Sequence, residues 1–244
     1  MKTQNCLAFA CALFAALAFP VVAHAQDPLK VGPNIYKLNF ENDFVRVCDI
    51  SFKPGDKIGM HSHPDHLVYM RSSGMLKLSY PDGKAKDMQA RAGEVLWIKA
   101  ESHAAENPGT TEVRGIVIEL KDAAKPLGKV PAGDDPAKVA PESYKVLLDN
   151  ERVRVLETRL KPGGKLPMHS HPSHVTYAFT DAKVKFTSPD GASKEEELKA
   201  GKARWGDPVA HAVENVGSSE AHVLNVELKP AGKPADRKPE EKKP

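Results

Sequence analysis

The chain has 244 residues, 41% of them hydrophobic, and its 35 Lys and Arg nearly balance 32 Asp and Glu for a formal charge of +3. That length suits two domains of common size. A body so close to neutral lacks the basic surface that nucleic acid or acidic membranes require, so neither is an expected partner.

The segment 1–25 reads as a secretory signal peptide: Lys2, an apolar run over 7–19, then an A-x-A pattern at Ala23-His24-Ala25. The run is too short for a comfortable membrane span. The mature chain is expected to start near Gln26, periplasmic or secreted, with no membrane attachment after cleavage. Cys6 and Cys11 leave with the signal, and Cys48 remains. One thiol makes neither an internal disulfide nor a thiolate metal cluster. Cys48 lies in an alternating apolar segment and is expected as a small buried hydrophobe.

An internal repeat sets the organisation of the rest. Residues 33–121 align with 141–229 without a gap, and about two positions in five are identical. Each copy is expected to be one domain. Residues 122–140, with Pro126, Pro131 and Pro136 spaced among Ala, Gly, Lys and Asp, read as a semi-rigid linker. Residues 230–244 have a similar composition and read as a disordered tail.

Within a copy the pattern is strand, turn, strand. Val45-Arg46-Val47 and Val153-Arg154-Val155 alternate apolar and charged residues, as half-buried strands do. Leu76 to Tyr80 runs into Pro81-Asp82-Gly83, a hairpin signal. Residues 113–120 and 221–228 read as the last strand of each copy. No segment has a convincing helical period. Short strands between Gly and Pro turns predict an all-β fold, a small barrel or jelly roll in each copy.

The chemistry concentrates in Met60-His61-Ser62-His63-Pro64-Asp65-His66 and its second copy, Met168-His169-Ser170-His171-Pro172-Ser173-His174. His103 and His211 follow at the same distance. His61 thus matches His169, His63 matches His171, His66 matches His174 and His103 matches His211, all with one constant separation. A single buried histidine is usually a satisfied core residue. Four kept in register through both copies read instead as ligands. On a strand, His61 and His63 face the same way, about 7 Å apart. A third imidazole from a distant strand, His103 or His211, closes a facial set and leaves positions open for water or substrate.

Other residues have plainer readings. Glu106 and Glu214 point away from His103 and His211 by strand parity. Tyr69 and Tyr177 are expected in packing, Trp97 and Trp205 in packing or at the barrel mouth, and Glu195-Glu196-Glu197 at a solvated edge. Met70 against Ala178, Arg71 against Phe179 and Glu101 against Val209 are candidate pocket linings that differ between copies. The two barrels are therefore not expected to bind one ligand equally.

The motifs resemble those of the cupin superfamily. Its G-x5-H-x-H motif is matched by Gly55, His61 and His63 and by Gly163, His169 and His171. Its second motif opens on a glycine, here Gly93 and Gly201, and ends H-x3-N, here His103 to Asn107 and His211 to Asn215. The resemblance covers nearly all of both copies and implies a bicupin: two tandem jelly-roll β-barrels, each with one divalent metal in its mouth. Carried over by position, the ligands are His61, His63 and His103, then His169, His171 and His211. It also implies pairing through the sheets, as a homodimer.

One departure matters. The family's usual glutamate ligand falls at Leu67 or Val68, and at Val175 or Thr176, so both copies lack it. Three neutral imidazoles leave the metal charge uncompensated and favour anionic ligands, with Fe, Ni, Cu or Zn expected rather than Mn. Bicupin oxalate decarboxylases and oxidases rely on that glutamate, which weighs against their chemistry here. His66 and His174 stand one inward position earlier, either as a fourth ligand or as a proton carrier acting on a substrate. Two functions stay open. One is an exported metal-dependent enzyme, dioxygenase-like, on a small molecule. The other is a non-catalytic protein that binds a metal or small anion.

Overall fold

The computed structural model describes residues 26–123 and 125–230. The signal peptide expected over 1–25, and the expected tail beyond Pro230, lie outside the described residues.

Nine strands form in the first copy: β1 (Tyr36–Glu41), β2 (Val45–Phe52), β3 (Lys57–His63), β4 (His66–Met70) and β5 (Gly74–Ser79), then β6 (Ala85–Ala90), β7 (Val95–Ile98), β8 (Glu101–Glu106) and β9 (Val113–Leu120). The second copy repeats them: β10 (Tyr144–Asp149), β11 (Val153–Leu160), β12 (Lys165–His171), β13 (His174–Ala178) and β14 (Ala182–Thr187). It ends with β15 (Ser193–Leu198), β16 (Ala203–Gly206), β17 (Val209–Asn215) and β18 (Ala221–Leu228). A five-stranded sheet, β1-β2-β9-β4-β7, faces a four-stranded one, β3-β8-β5-β6; the second copy has β10-β11-β18-β13-β16 facing β12-β17-β14-β15. This is the cupin-type jelly-roll barrel, built twice.

Glycines hold the turns at matching places. Gly55, Gly83 and Gly93 have φ of +82°, +79° and +83°, and Gly163, Gly191 and Gly201 repeat the set. Nothing lies within 4 Å of a Cβ built on Gly93, so its side chain is missing for backbone conformation and not for space.

The five-stranded sheets are buried on two sides. Cys48, Ile50, Phe52, Val68, Met70 and Val117 face into the first barrel with Ile58, Leu76 and Leu78 from the opposite sheet. The alternate residues of the same strands, Val45, Val47, Leu67, Tyr69, Ile116 and Ile118, face the other barrel. There they meet Val153, Val155, Val175, Tyr177, Leu224 and Val226 in one continuous apolar core. Strands covered on both faces need near-continuous apolar runs, which is why β9 reads Gly-Ile-Val-Ile-Glu-Leu. The alternation at Val45-Arg46-Val47 thus has a reversed meaning. The valines face the neighbouring barrel, and Arg46 reaches Glu119 beside the histidines.

Two single helical turns were not legible as helices. α1 (Pro28–Val31) and α2 (Pro136–Val139) begin at Asp27 and Asp135, whose side chains accept from Leu29 N and Ala137 N. Four residues are too few to show a helical period, and a cap with Pro at the first position suffices to form them. The repeat therefore reaches back to Asp27 and Asp135. Within 122–140, read from sequence as linker, α2 packs on the second barrel, and the Asp134 carbonyl accepts from Ser170 N. Leu127 packs against the core between the barrels.

Candidate metal centres

β3 and β8 bring the first cluster together. Their register runs Ile58 opposite Ala105, then His61 opposite His103, with a shift between. Ile58 and His61 are an odd number of residues apart, so a regular strand would turn them to opposite faces. The bulge lets both point inward, at 3% and 0% exposed. β12 repeats the shift between Leu166 and His169. One ring nitrogen from each of His61, His63 and His103 lies within 4.8 Å of the others, and His169, His171 and His211 form the same group.

The unused nitrogens are tied back. His61 Nδ1 meets the Gly59 carbonyl at 2.8 Å and His169 Nδ1 the Pro167 carbonyl at 2.6 Å. Each contact requires Nδ1 to donate, which leaves Nε2 with its lone pair. His61 Nε2 is buried without any hydrogen-bond partner, as a ligand atom facing a cation would be. Burial, reinforced by neighbouring imidazoles, pushes His103 and His211 down to about 3 and His61 to about 4. These rings are neutral at ordinary pH and need lose no proton to bind metal. The donor set fits a divalent cation.

A second layer was missed in the sequence. His63 Nδ1 lies 2.6 Å from Glu119 Oε1, and His171 Nδ1 lies 2.6 Å from Glu227 Oε1. Arg46 spans Glu119 and Asp27, so the cap of α1 is linked through Arg46 and Glu119 to the metal-facing imidazole. Burial opposes the Glu119 charge, but hydrogen bonds from His63 and Arg46 hold its carboxyl below the ordinary range. Glu227 differs: burial raises it to about 7, against a weaker pull from Arg154. Arg154 is turned onto Asp135 and stands 3.7 Å from Glu227. Tyr36 and Tyr144, raised by burial, add phenols; Tyr144 Oη sits 3.0 Å from His169 Nε2 and Tyr36 Oη 3.5 Å from His63 Nε2. The available signal was a carboxylate inside an apolar final strand, and a tyrosine kept in both copies.

His66 and His174 open β4 and β13 and pack on the clusters without joining the close groups of three. The His63 and His66 rings are 4.7 Å apart, and the His171 and His174 rings 5.2 Å. Burial lowers both to about 4. The glutamate slots, Val68 and Thr176, point into the barrels two residues further on.

The remaining candidates separate by place. Glu106 and Glu214 pair with surface lysines, Lys57, Lys165 and Lys185. Tyr69 packs on Phe179, and Tyr177 donates to Asp49 across the barrel interface. Arg71 reaches Tyr177, so Arg71 and Phe179 belong to that interface and not to a pocket, because β4 and β13 end there. Met70 and Ala178 are core residues. Among the described residues the Glu101 carboxylate accepts only from His103 Nδ1, at 2.9 Å. Its counterpart Val209 lines a cavity of about 480 Å³ at the mouth of the second barrel, with His174, His211, Arg204 and Trp205. Trp205 both lines this mouth and stacks on Phe44 of the other barrel, at 5.0 Å and 4°. Of the three glutamates, Glu195 and Glu197 hold lysines at the surface, while Glu196 turns to Arg204.

No protein-family profile matches the chain, and no curated protein matches it. Solved structures do. The chain is similar to AerE from Microcystis aeruginosa, at 16% identity and TM-score 0.53, over 80% of this chain and 97% of that one. It is similar to oxalate decarboxylase from Lactobacillus farciminis, solved as a formate complex, at 15% identity and TM-score 0.53, over 77% of each chain. A Bacillus subtilis oxalate decarboxylase, described for its Mn(II) centres, matches at 12% identity and TM-score 0.56, over 81% and 76%. At these identities the likeness is one of fold.

Proposed function

We propose that this chain, a bicupin in fold, is an exported metal-dependent enzyme that acts on a small molecule. Each barrel would hold one divalent cation, through His61, His63 and His103 in the first and His169, His171 and His211 in the second. The observation that supports this most is the pair of three-nitrogen groups, each within 4.8 Å, in which His103 and His211 come from a strand distant in sequence. When bound, the cation supplies Lewis acidity and open positions for an anionic ligand and for oxygen or water.

The chain's own groups do the rest. Glu119 and Glu227 orient His63 and His171 through Nδ1, and the carbonyls of Gly59 and Pro167 orient His61 and His169. His66 and His174 are tied at Nδ1 to the carbonyls of Pro64 and Pro172, so Nε2 of each carries the lone pair and would accept a proton and pass it on. All-imidazole ligation suits Fe, Ni, Cu or Zn and a dioxygenase-like reaction. The oxalate decarboxylases that share the fold give no reason to assign their reaction here, because Val68 and Thr176 stand where that chemistry's glutamate is expected. Secretion is proposed from the signal-like segment 1–25.

Metal analysis of the purified chain tests the reading, followed by oxygen uptake with thiols, diketones and catechols. Two equivalents are expected, falling to one in His103→Ala and one in His211→Ala, with turnover lost in at least one variant. Two tightly held equivalents without turnover would identify a metal-binding protein instead. No metal at all would end both readings.

A further inference from the structure

The two clusters match, but the residues beside them do not. In the second barrel the mouth cavity of about 480 Å³ leads towards an inner one of about 70 Å³, and His174, His211, Phe186 and Arg204 line both. The inner wall is largely apolar but carries one polar patch: Thr176 Oγ1 donates to Asn225 Oδ1 at 2.8 Å, and Asn225 Nδ2 donates to Thr158 Oγ1 at 3.1 Å. All three are buried. At the matching positions of the repeat the first barrel has Val68, Val117 and Ile50, all within its apolar core. Hydrogen bonds among the three offset the cost of burying them, and their spare donor and acceptor capacity gives a ligand polar partners that the first barrel lacks at these positions.

The entrance differs in the same sense. Gly206 lies opposite His174 on the neighbouring strand, where the first barrel has Ile98 opposite His66. A Cβ on Gly206 would collide with the His174 ring, so the imidazole occupies the room that glycine leaves. It stands further from its cluster than His66 does, 5.2 Å against 4.7 Å between rings, and lines the cavity. Ile98 instead packs against the first core. Arg204 takes the place of Leu96. Its guanidinium lies 5.5 Å over the Phe186 ring and donates through Nη1 to Glu196, and among the described residues Nε and Nη2 have no other partner.

We propose that the second barrel alone is the substrate chamber, and that it takes a small organic carboxylate whose acid group pairs with Arg204. The body of the ligand lies between Phe186 and Trp205, and its hydroxyl or carbonyl oxygens meet Thr176 and Asn225. Three neutral imidazoles around a divalent cation leave a positive site, which attracts the same anion. The first barrel is then a metal site without a chamber. This rests on the metal-binding reading above, which gives the anion its second partner.

The test uses the full chain, with metal content measured on every sample. Benzoate and pyruvate are titrated by calorimetry and ligand-observed NMR, with benzyl alcohol as the uncharged counterpart. Saturable carboxylate binding at one site per chain is expected, without binding of the alcohol. Arg204→Leu, which copies the first barrel, should weaken it about tenfold or more, the usual size of a lost charge-assisted pair, and Arg204→Lys should recover part. His169→Ala/His171→Ala should weaken it more than His61→Ala/His63→Ala does. Full metal content with no carboxylate binding, or binding that follows the first barrel's histidines, would overturn the proposal and leave the metal reading intact. Binding that depends on Arg204 in a chain without metal would keep the chamber and remove the metal reading.

Discussion

Glu119 and Glu227 stand in final strands that are otherwise apolar, and each is hydrogen-bonded to the middle imidazole of a cluster. A carboxylate on Nδ1 fixes the ring's tautomer and raises the basicity of Nε2. Glu119→Gln should therefore weaken metal binding in the first barrel about 10- to 100-fold with all three histidines intact; competition with a graded series of chelators reads this, and an unchanged affinity would remove Glu119 from the site. Acid should act through the same rings. In the metal-free protein burial holds His61 and His66 at about 4 and His103 at about 3, against about 6.5 for an unfolded histidine. Between those values these rings bind more protons in the unfolded chain, so their contribution to stability is full above about 6.5 and falls as pH drops towards 3. Thermal midpoints recorded in chelator from pH 7.5 to 4 should decline steadily, and a flat profile to pH 4 would show that the rings are not buried neutral. The histidines were legible because their spacing repeats. Their partners were not, since Glu119 lies far along the chain from His63 and nothing local announces the contact.

At the scale of elements, the final strands β9 and β18 have the bounds that composition predicts, and the hairpin turns on Gly83 as expected. The motif asparagines have a structural reason: Asn107 donates to the carbonyls of Phe52 and Thr111, and Asn215 to those of Leu160 and Ser219. They close the loop after each third histidine. The motif glycine Gly93 serves the backbone alone. Gly93→Ala should cost about 1–2 kcal/mol, the penalty of a left-handed conformation for a side-chain-bearing residue, with metal content unchanged. Urea denaturation measures it, and a neutral result would mean that the turn relaxes to negative φ. The bulges before His61 and His169 were hidden, because one extra residue in a strand has no composition of its own, yet it decides which way every later side chain points.

For the whole molecule, an apolar face of each barrel is covered by the other barrel of the same chain. Tyr177, fully buried, hydrogen-bonds Asp49 of the other barrel, and Arg152 pairs with Asp65 across the same boundary. Halves separated within 122–140 should thus expose a broad hydrophobic sheet and aggregate or self-pair, while mixing them during refolding should recover a one-to-one complex. Light scattering after size exclusion distinguishes these outcomes; two soluble monomeric halves would show that the shared core is dispensable.

By itself the sequence determined the duplication, the all-β class, the spacing of the glycine turns and the identity of six imidazoles able to meet a cation. These follow from residue type and separation along the chain, which a repeat displays twice. Only the tertiary structure decided which strand face looks inward, which carboxylates stand behind the imidazoles and which residues line the mouth of the second barrel. Those depend on what lies across a bulge, a sheet or a barrel boundary, and the energy of burying a side chain is set by the neighbour it meets there, not by its place in the chain.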